Sequence, residues 1–124
     1  MDSNNHESRR KYPRYSLNKR IRVVNRQTGE SLGLIANLSQ GGLMLVDSSP
    51  LVADGIYQLA VELESGVIGN SEPCVIELGV DCLWNSPAAD QKSDAYWSGC
   101  EIIDISDEHL SLMDRLIAVV RSSE

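Results

Sequence analysis

The sequence predicts an all-β domain closed by one C-terminal helix, folded as a small antiparallel barrel or sandwich. Three observations predict it. Six or seven short stretches between Tyr15 and Ile103 read as strands, the clearest of them alternating apolar and polar residues. Turns rich in glycine and small polar residues separate them. Only the segment after Ser106 repeats apolar residues at helical spacing. A chain of 124 residues with an ordinary apolar fraction can bury one core, so one domain is expected.

Residues 1–8 lack apolar side chains apart from the initiator Met1 and are expected to be a disordered tail. Residues 9–121 are expected to form the domain. Arg9 to Arg14 reads as a charged arm, and Pro13 biases Tyr12 toward an extended conformation. Arg20 to Val24 alternates, with Ile21 and Val23 on one face. Asn25 to Glu30 is a turn. Leu32 to Leu38 is the next strand, with Leu32, Leu34, Ala36 and Leu38 expected on one face. Ser39 to Gly42 is a tight connection, and a strand resumes from Gly42 to Val46. Asp47 to Gly55 is a loop.

Ile56 to Glu64 alternates well, with Tyr57, Leu59, Val61 and Leu63 pointing one way. Ser65 to Pro73 is a polar loop. Cys74 to Trp84 is a long β-rich stretch, with a bulge expected at Gly79. Ser86 to Ala95 is a loop, and Tyr96 to Ile103 is the last strand. Ser106 is a good N-cap, and Asp107 and Glu108 suit the positive end of a helix dipole. Leu110, Met113, Leu116, Ile117 and Val120 then form an apolar stripe expected to cover the core. A membrane-surface helix is disfavoured, because its polar face carries only Arg115 and Arg121 as bases.

No apolar run reaches the roughly 20 residues needed to span a bilayer. The polar N-terminus has no apolar signal region, which predicts a cytoplasmic protein. Cys74, Cys82 and Cys100 are odd in number and widely spaced, so they read as reduced thiols packed as small hydrophobes, not as a disulfide framework or a metal site. His109 reads as an exposed helix residue and His6 lies in the tail. Ser39 has no base near it in sequence, and the acids are scattered, so an enzyme is not expected.

The charge is segregated. Residues 1–26 carry eight bases and two acids, a net +6, whereas residues 27–124 carry three bases and sixteen acids, a net −13. A basic segment on an acidic body suggests a focused anion site; a tail that only aids solubility is the blander account. The acidic body would repel duplex DNA, so DNA is not an expected partner. A barrel for single-stranded nucleic acid would need a basic, aromatic-rich face, and the chain has no Phe.

Two short motifs could hold an anion. Arg10 and Arg14, preceded by Arg9, offer planar donor forks that match phosphate oxygens or the O6/N7 edge of guanine. Asn37 and Ser39, at a strand end, would point to one side and can hydrogen-bond a base or phosphate. Gly41 and Gly42 permit a sharp turn and close approach of a ligand. Each motif alone also fits a bland role: a solvated basic cluster, or a turn whose polar side chains bond local backbone.

Together the motifs are more specific. Arg-x-x-x-Arg ahead of the first strand and Asn-x-Ser-x-x-Gly after the second, roughly 23 residues later, resemble the PilZ domain family. Tyr96-Trp97-Ser98-Gly99-Cys100-Glu101-Ile102 resembles the family's last barrel strand, although an aromatic residue is more usual where Ile102 stands. The likeness runs from about Arg9 to Val120. It implies a six-stranded antiparallel β-barrel with a C-terminal helix, a non-catalytic receptor and cyclic di-GMP as ligand, with no cofactor. By the same likeness Arg9, Arg10 and Arg14 would clasp the ligand from one side, and Asn37, Ser39, Gly41 and Gly42 would meet it from the other. Trp84 would stand beside a base, with core packing as its alternative role. The arm would close over the ligand and present a surface to a downstream protein the sequence does not identify. The alternative is a PilZ-like adaptor that binds protein but no nucleotide.

Overall fold

The computed structural model describes residues 15–16, 21–47, 51–87 and 95–122; the arginine arm Arg9–Arg14 and the tail lie outside them. The elements in chain order are β1 (Tyr15–Ser16), β2 (Arg22–Asn25), β3 (Ser31–Leu38), β4 (Gly42–Asp47), β5 (Ile56–Leu63), β6 (Cys74–Pro87), β7 (Tyr96–Asp104) and α1 (Asp107–Ser122).

All pairings are antiparallel. The ladder runs β3-β2-β5-β6-β7-β4, and β4 returns to β3, so six strands close into a barrel. The short β1 adds to β3 beyond the end of β2, with Tyr15 opposite Leu38 and Ser16 opposite Asn37. The all-β barrel with one closing helix is the expected fold.

The interior follows from alternation. Val23, Leu43, Leu45, Leu59, Val61, Leu63, Ile76, Leu78 and Val80 point inward and are buried. Leu51, ahead of β5, enters the same core. Its backbone is clamped there: Ser98 Oγ accepts from Leu51 N at 3.1 Å, and Asn85 Nδ2 donates to Leu51 O at 2.8 Å. The polar loop after β5 contributes buried Ile68, and Asn70 folds the loop by donating to the Glu64 and Glu72 carbonyls.

Helix α1 begins as its sequence directs. Ser106 Oγ accepts from His109 N at 3.2 Å, and Asp107 and Glu108 occupy the first turn. Met113, Leu116, Ile117 and Val120 join the barrel core.

Five local expectations need correction. Leu34 and Ala36 do not share the inner face of β3; the buried set is Leu32, Ile35 and Leu38. Two one-residue bulges account for this: the pairing with β2 jumps from Gly33 to Ser31, leaving Leu32 as an extra residue, and the pairing with β4 jumps from Ile35 to Asn37, leaving Ala36, and each reverses which side chains face in. Strand β6 runs on to Pro87, taking Ser86 and Pro87 out of the expected loop. Its register shifts beside Gly79, but there the unpaired residue is Ile103 of β7, and a second shift leaves Leu83 unpaired. Leu110 stays 37% exposed, at the edge of the helix stripe. His109 is half-buried, and its Nδ1 accepts from Glu77 N at 2.6 Å. Because β6 pairs with β7 only from Gly79 onward, this imidazole takes a strand N–H that β7 does not reach.

Candidate ligand-binding site

The second motif forms the connection between β3 and β4. Ser39 N donates to Gly42 O at 2.8 Å, and the Ser39 hydroxyl donates to the same oxygen at 3.4 Å. The turn is pinned to the last strand by Ile102 N, which donates to Gly41 O at 2.9 Å. Ser39 is buried, and its hydroxyl bonds local backbone, as the turn reading of the motif expects.

Gly42 is glycine for a reason the motif alone does not reveal. Neither Gly41 nor Gly42 uses a left-handed backbone. A Cβ on Gly42 would stand 2.3 Å from the Cys100 carbonyl oxygen, so a bare Cα is what lets β4 lie against β7 at this point.

Asn37 lies two residues before Ser39 and faces outward. The register then carries one row across four strands: Asn37 faces Met44, Met44 faces Gly99, and Gly99 faces Trp84. The inward row beside it, Leu38, Leu43, Cys100 and Cys82, belongs to the core, which fixes the first row on the outside of the barrel. At one strand spacing per step, Asn37 and Trp84 are on the order of 14 Å apart along the sheet. The unpaired Leu83 is what turns Trp84 outward. Trp84 is 37% exposed and lies against Gly99, so core packing is not its role.

Met44 occupies the middle of the row. It is only 8% exposed, yet it points away from the interior, and its sulfur receives Asn37 Nδ2 at 3.8 Å. The next outer row, Gly42, Glu101 and Asp81, places two carboxylates beside the site. The described bases, Arg22, Arg26, Arg115 and Arg121, sit on β2, the turn after it and α1. Among the described residues, then, this face holds hydrogen-bonding groups and an aromatic ring but no cation.

Beneath the row, Cys82 and Cys100 face each other in the core as free thiols. Burial pushes the Cys100 thiol up to about 12, with the neighbouring Cys82 adding to the effect; burial also raises Cys82. Cys74 is free and half-buried. No three His, Cys, Asp or Glu among the described residues gather as a metal site. No helix among them is long and apolar enough to cross a membrane.

The PilZ domain family model matches residues 8–119. The chain belongs to the PilZ domain family. Solved structures share its fold at low identity. The PilZ domain of Escherichia coli YcgR with c-di-GMP is 16% identical at a TM-score of 0.67, covering 93% of this chain and 93% of that one. The Bacillus subtilis inhibitor of motility MotI/DgrA is 19% identical at a TM-score of 0.64, covering 93% and 51%. The Borreliella burgdorferi PlzA protein in complex with c-di-GMP is 10% identical at a TM-score of 0.60, covering 98% and 56%. This PilZ chain thus spans about half the length of the second and third. No curated protein sequence matches it.

The structure brings Asn37, Ser39, Gly41, Gly42 and Trp84 of this PilZ domain to one region of the barrel. Arg9, Arg10 and Arg14 fall outside the described residues, but Tyr15, next after Arg14, is paired with Leu38 beside Asn37. Met44 was missed from sequence, and Gly99 was read only as a strand glycine. A glycine inside a strand does signal close backbone approach, and here an indole is what approaches.

Proposed function

We propose that this PilZ protein is a non-catalytic receptor for cyclic di-GMP, bound on the outer face between the Asn37–Gly42 turn and Trp84. The observation that carries the reading is the shared row: Asn37 and Trp84, 47 residues apart in sequence, are placed in line by strand register. A guanine can stack on the indole while Asn37 and the turn offer hydrogen bonds. Relatives of the same fold from E. coli and B. burgdorferi are known in complex with c-di-GMP.

The counter-charge for two phosphates comes from the arm. Among the described residues, the face between the Asn37–Gly42 turn and Trp84 has carboxylates and no base, whereas Arg9, Arg10 and Arg14 directly precede the strand that pairs with β3. Guanidinium forks closing on phosphate or guanine form charge-assisted hydrogen bonds strong enough to offset the ordering of the arm. The closed arm then changes the surface offered to a downstream protein, a switch by ordering a segment.

Titration calorimetry with cyclic di-GMP tests this. Saturable heat is expected, and Arg10→Ala or Arg14→Ala should weaken binding at least tenfold, ~1.4 kcal/mol. No heat at tens of micromolar protein with excess ligand would sink the receptor and leave the adaptor that binds protein alone.

A further inference from the structure

Trp84 and Gly99 are direct cross-strand partners, and their contact is closer than any side chain would allow. A Cβ on residue 99 would lie 2.3 Å from Trp84 Cε2, 2.3 Å from Nε1 and 2.6 Å from Cζ2. The indole therefore rests on the glycine itself, covering backbone that would otherwise be bare on the outer face. Three indole atoms at nearly equal range mean that the ring lies across residue 99, not pointing away from it. Trp84 nonetheless keeps 37% of its surface exposed.

We propose that Gly99 is a positioning residue of the nucleotide site: its bare Cα is the seat that holds the Trp84 indole in line with Met44 and Asn37, ready to stack on a base. This rests on the receptor reading above. An alanine at 99 would lift or tilt the ring, and the stacking face would leave the row. The effect on ligand runs through Trp84, because Gly99 has no side chain of its own to offer.

The test uses the full chain carrying Trp97→Phe, so that Trp84 is the sole tryptophan. Four proteins are compared: this parent, Gly99→Ala, Trp84→Ala and the double variant. Calorimetry reads cyclic di-GMP affinity, and indole emission with acrylamide quenching reads the ring. Gly99→Ala should shift the emission to the red, raise quenching and weaken binding by about 5- to 150-fold, the range of one base–aromatic stack. Trp84→Ala should lose a similar factor, and adding Gly99→Ala to it should cost no more than about twofold further. Parent-like affinity in Gly99→Ala overturns the proposal while leaving the receptor standing. A parent that gives no heat overturns both. Should Gly99→Ala fail to fold, the double variant decides, since removing the indole removes the clash. A loss well beyond that of Trp84→Ala alone would then show that Gly99 acts otherwise.

Discussion

A methyl group at position 42 would stand 2.3 Å from a strand carbonyl, with nowhere to go but into β7. Gly42→Ala is therefore expected to destabilise the barrel by about 1–3 kcal/mol in a urea melt, with or without ligand. A variant as stable as the parent would return Gly42 to a purely ligand-facing role. Only Cys74 should react with a thiol reagent in the native protein, and all three cysteines only after unfolding. The raised Cys100 value also has a sign. The unfolded thiol ionises near 9.0 and the folded one near 12, so the stability it contributes is complete below pH 9 and is lost as pH rises toward 12. The slope of stability against pH in that window should be shallower in Cys100→Ala.

Two polar contacts add to the apolar stripe that holds helix α1 on the barrel. Helix α1 is tied to β6 through His109, whose Nδ1 takes the Glu77 N–H, and to the loop after β5 through Arg115, which donates to the Ile68 carbonyl. His109→Ala should cost about 1 kcal/mol and speed hydrogen exchange at Glu77, since that N–H then depends on water. Unchanged exchange there would mean that the strand end opens regardless of the imidazole. Ser106 and the acidic first turn were legible as a helix start because capping is local. The imidazole's role was not, because it depends on where β7 stops pairing with a strand about thirty residues earlier in the chain.

Across the whole chain, residues 1–26 carry a net +6 and residues 27–124 a net −13. A ligand that bridges them stabilises the native state by mass action. Cyclic di-GMP at about a hundred times its Kd should add about 2.7 kcal/mol, a rise in Tm of roughly 10 °C. If the arm binds as proposed, raising the salt should shrink that rise, because charge against phosphate is screened by salt. A salt-independent shift would put the binding energy in the Asn37–Trp84 row instead of the arm.

By itself the sequence determined the strand-rich fold, the capped helix, the segregated charge and the order of the two motifs, because each is written in local spacing or in composition. Tertiary structure alone decided which residues meet. The extra residues at Leu32 and Ala36 shift the faces of β3, and the unpaired Leu83 turns Trp84 outward. Register then sets Asn37, Met44, Gly99 and Trp84 in one line across four strands. A period-two pattern predicts a strand but not a bulge within it. Cross-strand neighbours come from pairings between distant segments, which only the closed barrel fixes.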